Sequence, residues 1–272
     1  MKNKTIPFMV LAILHIILFF YTFYKNKQKT LAVLFFGIGL SYVFEYFVLN
    51  LFKMYTYYPK VSKNRWIDSV FGAVLSQSVF VPIAGTFLVL FNLSWKWKMG
   101  FTLFYGIVEQ LFIRWKVFRN NWWKTAYTIT AMPIFFYLVK KWWVSIQNGG
   151  KLNKNFALFL FYWVNYTNIL FLPLALFRKY FFHIGFLKDR YWEHFVLIPI
   201  YTFVTSVGAT INTFVSNRKK PIVLLLLHLF DQLLFKLKII QPNNKIYLYM
   251  LMPVHLLVLY MGVLYRRLMA NI

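Results

Sequence analysis

The chain has 272 residues, is 60% hydrophobic and 22% aromatic, and has a mean hydropathy of +0.57, against an apolar share of roughly 45–50% in soluble domains. That composition excludes a soluble globular domain and predicts an integral membrane protein. The net charge of +25 does not mark a nucleic-acid surface, because the Lys and Arg punctuate apolar runs and form no basic face on a folded domain. The expected partners are membrane lipids, anionic headgroups above all, at about 1 kcal/mol per cation. With no cysteine in the chain, disulfides and thiolate chemistry are excluded.

The opening "MKNKTIPFMVLAILHIILFFYTFYKNKQK" starts like a signal peptide. Its apolar stretch is too long and no small-x-small cleavage site follows, so it is expected to be a retained first span. Cutting at the charged punctuation gives nine runs: 6–24, 30–52, 69–91, 99–113, 125–144, 156–177, 195–216, 221–235 and 246–265. They are expected to be helices, since a helix satisfies its own backbone in lipid, whereas barrel strands would alternate over about 10 residues. The runs 99–113 and 221–235 are short, roughly 22 Å at 1.5 Å per residue. Either they cross with their basic flanks snorkelling outward or they form re-entrant hairpins.

The two halves of the sequence resemble each other. "LNLFKMYTYYPKVSKNRWID" (49–68) aligns without a gap on "LALFRKYFFHIGFLKDRYWE" (174–193), pairing Asp68 with Glu193 at an offset of 125. A second block pairs Lys98 with Lys220, Glu109 with Asp231, Gln110 with Gln232 and Lys116 with Lys238 at an offset of 122. With only six acidic residues in the chain, such coincidences argue for duplication. The expected fold is all-α: a polytopic transmembrane bundle of about nine spans, with one extra helix (1–29) followed by two parallel four-helix repeats (30–144 and 156–265). Seventeen of the 31 Lys and Arg fall on the N-terminal side, which favours a cytoplasmic N-terminus.

Polar residues inside spans are the candidate site. Glu45 is the most deeply placed carboxylate, with Ser41 and Gly37 at one-turn spacing before it. An acid in hydrocarbon must be protonated, paired or hydrated. Glu109 and Asp231 occupy matching positions, as two carboxylates of a cation or proton site would. His228 precedes Asp231 by three residues on one face, so Asp231 could orient it or share a proton with it. Asn165 and Asn168 fall mid-span in the sixth run. Gln77, His255, Thr205, Asn212 and His15 are also mid-span and read as interhelical glue. No metal site and no cofactor is expected, and the hydrolase, metalloprotease and phosphate-loop motifs are missing.

Glu45 leading into "YYP", then Asp68, Pro82, Glu109 and "NNWWKTAYT", resembles a family of small, uncharacterised multi-spanning membrane proteins of endospore-forming Gram-positive bacteria. The resemblance covers roughly 30–140 and implies a bacterial plasma membrane; it implies no activity. Three functions stay open: binding or moving a small cation, proton or lipid-like solute; a lipid-modifying enzyme using His228 and Asp231; and a structural or assembly role without a site.

Overall fold

The structure, a computed structural model, describes residues 4–177, 180–242, 249 and 251–272. Among these residues there are nine helices: α1 Ile6–Asn26, α2 Gln28–Leu51, α3 Arg65–Leu90, α4 Trp95–Arg114, α5 Thr125–Gln147, α6 Lys151–Phe177, α7 Arg190–Phe214, α8 Lys220–Lys236 and α9 Leu251–Ala270. Each holds one of the nine apolar runs, except that most of 246–250 lies outside the described residues. The two short runs belong to longer helices of 20 and 17 residues, because their basic flanks continue the helix. Each is uninterrupted, which is not the form of a re-entrant hairpin.

Helices α1, α2, α3, α7 and α9 are long and apolar enough to cross a membrane. Their outward faces stay apolar: Met9, Val10, Ile13, Ile17 and Phe20 on α1 and Ile200, Phe203, Val204 and Ile211 on α7 are exposed. Such belts suit lipid and would be a liability in water. Hydroxyls inside helices turn back to the carbonyl one turn earlier, as Thr22 does to Leu18, Thr86 to Pro82, Thr102 to Lys98 and Thr202 to Ile198. That habit satisfies them where water is absent.

The chain divides into two compact units, Met1–Asn153 and Lys154–Asn271. In the first, α1 turns into α2 through Lys27 alone, at φ 46°. Two three-residue strands, β1 Tyr55–Tyr57 and β2 Phe118–Asn120, pair antiparallel in the connections after α2 and α4. The pairing gathers the ends of α2 and α4 and the starts of α3 and α5 at one end of the unit. The chain's start is tied there too, with Lys4 Nζ donating to the Lys116 carbonyl and Thr5 Oγ1 to that of Pro59, both at 2.8 Å. Phe8, Tyr55, Tyr57, Phe112 and Phe118 form the core beneath the strands.

The second unit has the same order without an α1: α6, β3 Tyr180–Phe182, α7, α8, β4 Ile240–Pro242, α9. Its core joins Leu170, Tyr180, Phe182, Ile198, Tyr201 and Ile240. Tyr55 opposes Asn120 in the first ladder and Tyr180 opposes Pro242 in the second, which are the same positions at offsets of 125 and 122. Asn64 caps α3 by accepting from the Trp66 and Ile67 amides, and Asp189 caps α7 by accepting from Tyr191 and Trp192. Buried Asp68 accepts from the amides of Lys60, Val61 and Ser62, and buried Glu193 from those of Ile184 and Gly185. Ser69 Oγ receives the Tyr57 amide and His194 Nδ1 the Phe182 amide. Lys116 and Lys238 end their helices in the left-handed region, at φ 56° and 59°.

Candidate functional site

Two stretches of wide, π-helical turn shape the interior of the first unit, at Tyr46–Leu51 in α2 and Ser76–Phe80 in α3. The second has a local cause in Pro82, which has no N–H for the Ser78 carbonyl and whose ring crowds it. The widened turn carries Gln77 toward α2. There Glu45 Oε2 accepts from the Tyr55 hydroxyl at 2.5 Å and from Gln77 Nε2 at 2.9 Å. Burial, with the Glu45 charge adding to it, pushes the Tyr55 phenol well above its ordinary range, so it serves as a donor. Glu45 Oε1 and Ser41 Oγ are buried without a partner.

Glu109 is half-buried in α4 and held from α5. It accepts from Thr125 Oγ1 at 2.6 Å and, in a very short contact, from Thr128 Oγ1. The Gln110 amide donates to Thr125 and the Trp123 indole to Thr128. Each threonine has one hydrogen, and each is directed at Glu109, which is the arrangement that an acceptor-only carboxylate draws around itself.

Glu109 and Ser41 line a cavity of about 450 Å³ inside this unit. Phe44, Phe80, Phe112, Trp123 and Phe135 supply apolar wall, and Gln77 and Ser76 add polar atoms. Glu45 stands behind Tyr55 and Gln77, which do line the space.

Asp231 is fully buried in the second unit. Its Oδ1 accepts from the Tyr201 hydroxyl at 2.7 Å and its Oδ2 from His255 Nε2 at 2.9 Å. His255 Nδ1 in turn meets the Tyr166 hydroxyl at 3.0 Å. One chain of contacts results: Tyr166, His255 and Asp231 in line, with Tyr201 donating to the other carboxylate oxygen. The imidazole that orients on Asp231 is therefore His255 of α9 and not His228. His228 is half-buried and bonded to Gln232 one turn on, at 3.2 Å. Asn165 donates to the Phe161 carbonyl of its own helix at 2.7 Å, and Asn168 is half-buried beside it on the same helix. Sequence reasoning placed His255 and Gln77 mid-span as glue and gave no role to Tyr55, Tyr166, Tyr201, Thr125 or Thr128. Tyrosine in so aromatic a chain carries no signal alone.

The class that emerges is a helical protein with five helices long and apolar enough to cross a membrane, holding buried polar networks among its helices. Searches against protein-family models, curated proteins and solved structures find no match for the chain.

Proposed function

We propose that this is a multi-pass protein of a bacterial plasma membrane, built by duplication of a four-helix unit, that binds a lipid-like amphipathic solute inside its first unit. The cavity of about 450 Å³ carries the reading: its size and mostly apolar wall suit a small ligand, and a few convergent polar groups would orient one. Duplication is supported by the shared element order, the shared strand register, the matched helix caps and the matched left-handed lysines. All nine helices are read as spans. The strand end of the first unit, which carries Lys4, Lys53, Lys60, Lys63, Lys116 and Arg119, is read as cytoplasmic and as the surface that meets anionic headgroups. The resemblance over 30–140 supports the bacterial membrane.

A lipid-modifying enzyme at Asp231 has less support, since Asp231, Tyr166 and His255 are almost wholly buried and each of their side-chain polar atoms has a partner. That pattern belongs to a packed core.

Native mass spectrometry of protein purified in a mild detergent tests the binding reading. One amphipathic molecule retained per chain is the expected result. Protein that stays empty against a panel of membrane lipids and their single-chain breakdown products would overturn it.

A further inference from the structure

At the two alignment offsets, positions that line the cavity of the first unit carry larger side chains in the second unit. Ser41 and Ser76 line the cavity; at the offset of 125 their places in the second unit are taken by Tyr166 and Tyr201. Pro133, between the lining residues Met132 and Ile134, stands at the offset of 122 where the second unit has His255. Glu109 stands where the second unit has Asp231. In the second unit, two phenols and an imidazole thus close around the carboxylate, the Tyr201 hydroxyl donating to one oxygen and His255 Nε2 standing 2.9 Å from the other. In the first unit the equivalent carboxylate faces open volume, and the Ser41 hydroxyl at that volume's edge is buried and unpartnered.

We infer that the solute bound in the first unit is a hydrophobic protonated amine, whose N–H group meets Glu109 where the second unit sets His255 against Asp231. This rests on the solute-binding reading above and names its chemistry. The carboxylate can accept further hydrogens, since two threonine bonds leave part of its acceptor capacity unused. Among the described residues lining the cavity none is Lys, Arg or His, in a chain with 31 Lys and Arg. An anionic head would find no counter-charge there. The aromatic residues Tyr57, Phe112 and Trp123 border the same space, and an aromatic ring attracts a cation placed over its face.

The test uses the full chain in nanodiscs of neutral lipid and three probes of equal chain length, decylamine, decanol and decanoate, at pH 7. The Ser41→Tyr/Ser76→Tyr double variant, which carries the second unit's residues, supplies the background for partition into lipid. Decylamine is expected to bind saturably at one per chain, to be lost in the double variant, and to weaken about tenfold in Glu109→Gln, which keeps the shape and removes the charge. Decanol or decanoate binding as tightly as decylamine would overturn the amine while leaving a solute site in place. If none of the three binds above background, both the amine and the solute-binding reading fall. Should the double variant not fold, the comparison of the three head groups on unaltered protein, with Glu109→Gln beside it, decides the matter alone.

Discussion

Asp68 organises the first connection from a single buried position. It turns three consecutive loop amides inward, and with Asn64 it fixes where α3 begins. Asp68→Ala removes the acceptor of three part-buried amides, at about 0.5–1.5 kcal/mol for each hydrogen bond lost; Asn64→Ala removes a helix cap at about 1 kcal/mol. Thermal unfolding in detergent should therefore rank Asp68→Ala as the more damaging, and equal midpoints would refute the ranking. Gly72 offers a second check. A Cβ there would lie 2.4 Å from the Cβ of Tyr57, and that atom cannot retreat without moving β1. Gly72→Ala is expected to cost about 1–3 kcal/mol as an overpacking change, read as a lower melting temperature. The acid positions were legible from the sequence because charge is scarce in this chain. Their partners were not, because a serine hydroxyl or a backbone amide bears no mark of what it will receive.

At the scale of elements, Lys116 and Lys238 stop α4 and α8 with the same left-handed residue. A Cβ in that conformation is crowded, and glycine is the residue that relieves it. Lys116→Gly and Lys238→Gly are each expected to raise the melting temperature by an amount matching up to about 1 kcal/mol. A fall in both would mean that the lysine side chains hold the turn. The helices themselves were legible: lipid demands apolar runs of a certain length, and all nine runs proved helical among the described residues. The strands were not. Tyr55–Tyr57 and Tyr180–Phe182 are three residues each, too short for an alternation to register, and their aromatic content reads equally well as interfacial anchoring. The wide turn before Pro82 was hidden for another reason. A proline announces a disturbed helix, but whether it kinks the helix or widens the preceding turn depends on the neighbours that hold it.

For the whole molecule, the proposed nine crossings would place the two chain ends on opposite faces. Reporter fusions are expected to find the N-terminus with the basic strand end in the cytoplasm and the C-terminus outside; both ends on one face would remove at least one crossing. The order of elements that the two units share was foreshadowed by two ungapped blocks because charged residues align where apolar ones carry little information. The divergence between the units was written in the same alignment, as Ser41 against Tyr166 and Ser76 against Tyr201. It went unread because a serine opposite a tyrosine gains meaning only once the space between them is seen.

The strand pair also sets a timetable for synthesis. Roughly sixty residues, two whole helices among them, separate β1 from β2. At about 5–20 residues per second, β1 leaves the ribosome several seconds before any partner exists. During that interval its amides are an open edge, and the first unit cannot close until the end of α4 has been delivered. Defects in this ladder should therefore appear first as poor yield and degradation of nascent chains, while the fraction that completes assembly melts close to normal.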